Sequence, residues 1–105
     1  MVDVPLCRVD ELSDGVMHHY EHIGYDLLLV NLDGTFYCVD AACTFSWADL
    51  SQGVLDREKK GVVCPGCGGT FSLETGQPLA GPPKFPLEVY EVHVVGDDVV
   101  VTFVY

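Results

Sequence analysis

Cys64-Pro65-Gly66-Cys67-Gly68 restricts the folds open to this chain more than any other stretch. Two thiols two residues apart, in a turn built from Pro and Gly, form a knuckle that aims both sulfurs at one point. Thiolates select soft metal centres: zinc, iron or an iron–sulfur cluster. A second pair, Cys38 and Cys43, lies upstream. A four-sulfur site built from both pairs needs two loops, distant in sequence, to meet at one place.

The segments around these loops read almost wholly as β-strand. Leu6-Cys7-Arg8-Val9 is a short first strand, followed by a polar turn over residues 10–15. Residues 16–23 alternate loosely and are expected to be extended. Residues 25–30 form a strong strand, and Asn31-Leu32-Asp33-Gly34 is a hairpin turn, because Asp-Gly accepts the positive φ values such turns need. Thr35-Phe36-Tyr37-Cys38-Val39 returns as its partner. Residues 87–95 and 99–105 are valine-rich strands joined by Gly96-Asp97-Asp98, a second hairpin. Residues 41–50 are the only stretch suited to a helical turn, and residues 56–61 are a charged turn. Gly81-Pro82-Pro83-Lys84-Phe85-Pro86 is a stiff loop whose prolines cannot donate to a ladder. Short strands with regular turn signals predict a small all-β antiparallel sandwich or barrel.

Length and charge narrow the function. A chain of 105 residues has room for one domain and one modest core. Sixteen acidic against five basic side chains leave a net charge of −11. That argues against nucleic acid or an anionic membrane surface as partner and favours docking on a basic protein surface. No run of about 18 apolar residues is present to span a membrane. Met1-Val2-Asp3-Val4-Pro5 lacks the pattern of a secretory signal, so a cytoplasmic protein is expected. In a reducing compartment, five cysteines read as metal or redox chemistry before disulfides. No Ser/His/Asp set, phosphate loop or paired catalytic carboxylates point to an enzyme.

Residues 61–79, from Gly61-Val62-Val63-Cys64 to Gln77-Pro78-Leu79, resemble the second cluster-binding loop of Rieske-type ferredoxins. Gly81-Pro82-Pro83 and Pro86-Leu87-Glu88-Val89-Tyr90 resemble that family's proline loop and closing strand. Gly34-Thr35-Phe36-Tyr37-Cys38-Val39-Asp40, with Cys43-Thr44-Phe45, resembles the strand and first cluster loop. The resemblance covers nearly the whole chain in order. It implies a single Rieske-like domain over residues 1–105, with a metal-binding subdomain of two loops at about residues 40–80. It further implies an electron carrier with a 2Fe–2S cluster, working between a reductase and an oxygenase-type partner.

The family pattern is Cys-x-His in the first loop and Cys-x-x-His in the second, two cysteines on one iron and two histidines on the other. Cys43 and Cys64 match the cysteine positions, whereas Phe45 and Cys67 stand at the histidine positions. A two-histidine centre cannot form there. Cys43, Cys64 and Cys67 are the expected ligands, with Cys38 as the candidate fourth; its alternative role is a small apolar filler in a strand. Four thiolates suit a 2Fe–2S cluster or a single iron or zinc. His18, His19, His22 and His93 are weaker candidates, better read as surface groups; Asp49 ranks last, because an oxygen ligand suits soft iron chemistry poorly, and Cys7 reads as core. Phe45 and Trp47 are expected to shield the metal or to fill space. Losing imidazole ligands should move the potential from the range of about −150 to +300 mV toward about −400 mV, with little pH dependence. The remaining reading is a metal-free accessory subunit like the small subunit of nitrite reductase.

Overall fold

A computed structural model describes residues 1–104. Its strands, in chain order, are β1 (Val2–Arg8), β2 (Met17–His22), β3 (Tyr25–Leu32), β4 (Thr35–Asp40), β5 (Val54–Asp56), β6 (Gly61–Val63), β7 (Thr70–Ser72), β8 (Pro78–Ala80), β9 (Val89–Val95) and β10 (Asp98–Phe103). They pair antiparallel into two sheets. One has six strands in the order β1-β10-β9-β4-β3-β2, and the other has four in the order β5-β6-β7-β8. The all-β expectation holds. The only helical turns among the described residues are 3-10, at Val9–Glu11 and Leu50–Gln52.

Turn chemistry sets the hairpins. Asp33 and Gly34 both take positive φ (55° and 85°) between the paired Leu32 and Thr35, the backbone a two-residue hairpin loop needs. Gly96-Asp97 also joins Val95 to Asp98 as a two-residue loop, with Gly96 alone at positive φ (61°). A third such turn, Ile23-Gly24, cuts the segment expected to run extended to residue 23; Ile23 adopts φ 48°. β1 starts four residues earlier than Leu6 and includes Pro5. A proline fits there because β1 is an edge strand and its register shifts between Pro5 and Cys7. Pro78 likewise lies on the edge strand β8. Residues 41–50 hold no helical turn of their own; an Ala42–Asp49 bridge closes them into a loop, and the 3-10 turn begins only at Leu50. Tyr105, the expected end of the last strand, lies outside the described residues.

The apolar run Leu27-Leu28-Leu29-Val30 is completely buried because the six-stranded sheet is covered on both faces. Leu28, Val30 and Leu32 enter a first core with Val39, Cys43, Leu50, Val62, Cys64, Phe71, Leu73 and Leu87, between the two sheets. Leu27 and Leu29 enter a second core with Leu12, Cys38, Val99, Val101 and Phe103, inside the curl of the six-stranded sheet, a half-barrel. Successive residues of a strand point to opposite faces, so one strand feeds two cores. The four-stranded sheet thus presents its loops beside the end of β4.

Candidate metal centre

Two hairpin ends form the site. The first loop, residues 41–49, leaves β4 and closes through Leu50 N–H to Ala41 O (2.8 Å), Cys43 N–H to Ala48 O (3.0 Å) and Trp47 N–H to Cys43 O (3.0 Å). The second, residues 64–69, joins β6 to β7. Cys64 N–H donates to Gly69 O (2.7 Å) and Gly68 N–H to Cys64 O (3.0 Å), with Gly68 at φ 73°. Cys43 and Cys64 are buried in the first core and Cys67 packs partly exposed against it, so packing fixes where the sulfurs lie.

The sulfurs of Cys43, Cys64 and Cys67 all lie within 4.8 Å of one another. Cys43 and Cys67 are 3.7 Å apart and unbonded. A tetrahedral metal with bonds of about 2.3 Å to sulfur holds its thiolates about 3.8 Å apart. Main-chain donors face the sulfurs: Phe45 N–H to Cys43 Sγ (3.4 Å) and Gly66 N–H to Cys64 Sγ (3.3 Å). The Ser46 hydroxyl lies 3.3 Å from Cys64 Sγ. Burial acts to raise the Cys64 thiol, but hydrogen bonds from Ser46, the Cys67 and Gly66 amides and Cys43 outweigh it and hold Cys64 below its ordinary value. Cys67 is held above it, first by burial and then by the adjacent Cys64 and Cys43 sulfurs, against the Gly69 amide.

The expected fourth thiol is not in this group. Cys38 is 1% exposed and lies in the second core with Leu27, Leu29 and Val101. Its neighbour Val39 faces the first core. Strand alternation in β4 therefore turns Cys38 away from the loops. Burial, followed by the charge of Asp40, pushes the Cys38 thiol up to about 12. Cys7 packs against the same core, as expected.

The histidines do not reach the thiols either. His19 lies between Asp26 (Nε2 to Oδ1, 3.0 Å) and Asp49 (Nδ1 to Oδ2, 3.1 Å). Asp49 also accepts from Ser51 N–H (2.9 Å) and caps the 3-10 turn. His22 stacks on Phe103, and His93 is 4.0 Å from Asp3. Phe45 and Trp47, expected to shield the metal or to fill space, are 57% and 77% exposed. Only the Phe45 main chain touches a sulfur. The residue the sequence did not point to is Ser46; its only signal is a hydroxyl three positions after Cys43.

The Rieske [2Fe-2S] domain profile matches residues 2–91. This chain belongs to the Rieske [2Fe-2S] domain family. The Rieske chain is 35% identical over 97 residues to the 3-phenylpropionate/cinnamic acid dioxygenase ferredoxin subunit of Photorhabdus laumondii, covering 92% of this chain and 90% of that one. It is similar to the structure of a reduced oxygenase and oxidised ferredoxin complex in carbazole 1,9a-dioxygenase (TM-score 0.88, 31% identity, 94% of this chain and 91% of that one). It also resembles a crystal structure assigned to an NADH-dependent nitrite reductase small subunit from Mycobacterium tuberculosis (TM-score 0.88, 27% identity, 99% and 96% covered).

A Rieske domain implies a 2Fe–2S cluster, and this one carries a cysteine-rich metal-binding group. The donors do not fit the two-histidine form of that cluster, because Phe45 has no donor and Cys67 is a thiol. They fit a thiolate-held centre at three of its four protein bonds.

Proposed function

We propose that this protein is the ferredoxin component of a dioxygenase system, taking single electrons from a reductase and passing them to an oxygenase. The observation that carries the reading is its near full-length similarity to a dioxygenase ferredoxin subunit. Cys43, Cys64 and Cys67 hold the centre, which supplies a one-electron couple when bound. Cys43 and Cys64 are buried and keep water from one side of it, while the partly exposed Cys67 marks where it approaches the surface. The main-chain and hydroxyl donors at Cys43 and Cys64 stabilise negative charge on sulfur. With a net charge of −11, the molecule suits a partner with a basic docking face. The chain reads as one Rieske-like domain with its metal subdomain at about residues 40–80. No helix among the described residues is long and apolar enough to cross a membrane, and a cytoplasmic location is our reading.

The test is anaerobic purification, a visible spectrum and analysis for iron, sulfide and zinc. Iron with equal sulfide, a midpoint well below that of two-histidine centres and a potential nearly flat from about pH 6 to 9 are expected. A midpoint above zero with a steep pH slope overturns the thiolate-rich cluster. A second reading, one tetrahedral iron or zinc, is favoured by the approach of all three sulfurs to within 4.8 Å, and gives metal without sulfide. A metal-free protein would match the alternative reading of an accessory subunit without a redox centre.

A further inference from the structure

We propose that Ser46 Oγ is the fourth protein ligand of the centre held by Cys43, Cys64 and Cys67, an inference that rests on the thiolate-held centre proposed above. A closed zinc, iron or 2Fe–2S site takes four protein donors. The grouped cysteines supply three. Phe45, at the position where the fourth is expected, supplies none.

The other polar side chains on or near the loops are committed elsewhere. Thr44 Oγ1 donates to Phe85 O (2.7 Å). Asp49 faces Ser51 and His19. Cys38 lies in the other core. Ser46 Oγ accepts a long bond from Ala48 N–H in its own loop (3.4 Å), but it differs from these in also reaching across to the second loop, where it meets a ligand sulfur, Cys64 Sγ, at 3.3 Å.

That spacing has the size of a coordination edge. Metal bonds of about 2.3 Å to sulfur and about 2.0 Å to oxygen set an oxygen and a sulfur on one tetrahedral ion about 3.5 Å apart. The Cys43–Cys67 separation, 3.7 Å, is the matching sulfur–sulfur edge. The second loop also makes room for the hydroxyl. A Cβ at Gly66 would lie 2.8 Å from Ser46 Oγ and 3.0 Å from Ala48 Cβ, so only glycine leaves Ser46 its place over the knuckle. With a metal bound, Ser46 would release its hydroxyl proton to solvent, giving up the hydrogen bond that it offers Cys64 Sγ in the metal-free protein, and its oxygen would supply the fourth donor.

The full-length wild type, Ser46→Ala and Ser46→Cys are purified anaerobically under one protocol. Metal and sulfide per chain, metal-edge X-ray absorption and the rate of metal loss to a chelator are then measured. The expected wild-type result is a metal surrounded by sulfur plus one oxygen per centre. Ser46→Cys keeps the metal and replaces that oxygen by sulfur, with stronger thiolate charge-transfer absorption. Ser46→Ala loses metal at least about tenfold faster. If Ser46→Ala does not fold, the Ser46→Cys spectrum decides. An oxygen neighbour that persists in Ser46→Cys, or metal loss in Ser46→Ala equal to wild type, overturns the ligand role and leaves Ser46 as a hydrogen-bond partner of Cys64. A wild type that holds no metal overturns the thiolate centre itself, and this inference with it.

Discussion

Cys38 and Cys43 are five residues apart, yet their side chains occupy different cores. Cys38→Ala should keep the full metal content and cost about 1 kcal/mol of stability, the loss of one small buried group. Cys64→Ala should abolish metal retention. Metal analysis and thermal melts on the two variants check both outcomes; loss of metal from Cys38→Ala would restore Cys38 as a ligand. The pairing of Cys64 with Cys67 was legible in the sequence because Cys-x-x-Cys spacing is local chemistry, and Cys43 joins their sulfurs from the first loop. The fate of Cys38 was not, because β4 is buried on both faces and spacing alone does not say which core a strand residue enters. Nor did the sequence show that Phe45 and Trp47 point to solvent, since aromatic residues in a loop read equally well as cover.

Between elements, the first loop is held from two sides. One contact is Gly66 under Ser46 and Ala48. Gly66→Ala should force the two loops apart, speed metal loss and lower the melting temperature by several degrees, about 1 kcal/mol for a chain of this size. The other is His19, which ties Asp49 of the loop to Asp26 of β3. Burial acts to lower the His19 pKa, but the bonds to Asp26 and Asp49 outweigh it and raise it above the ordinary value. The clamp therefore contributes fully below about pH 6.5, where an unfolded histidine is also charged, and is lost as pH rises through the raised folded value. Melts across that window should show stability falling with pH in wild type and a flatter profile in His19→Gln; equal slopes would remove His19 from the account. Hairpins with Asp-Gly or Gly-Asp turns were legible in advance. Ile23-Gly24 was not, because a β-branched residue at positive φ runs against local preference and is set by the pairing of His22 with Tyr25.

Across the molecule, the thiols join the loops of two sheets that also meet through the first core and through Arg57, whose guanidinium donates to Asp33 in the β3–β4 turn (2.7 Å). A closed thiolate site contributes about 10 kcal/mol or more to a small domain. Metal removal should therefore lower the melting temperature by more than about 10 °C. The far-UV strand signal should largely survive, because the second core, around Phe103 and Val101, contains none of the three thiols. Complete loss of that signal would contradict two separable cores. Charge acts at the same scale. With a net charge of −11, electron transfer to an oxygenase that presents the proposed basic face should slow as ionic strength rises from about 0.01 to 0.15 M, where the screening length contracts from about 30 to 8 Å; rapid mixing at several salt concentrations measures it. The division into two cores also bears on how such a chain can change over generations. The two positions that depart from the family ligand pattern, Phe45 and Cys67, are respectively exposed and only partly buried. Replacing a side chain there disturbs little packing, so the carrier's redox character is open to substitution while its architecture, anchored in β3 and β10, is left untouched.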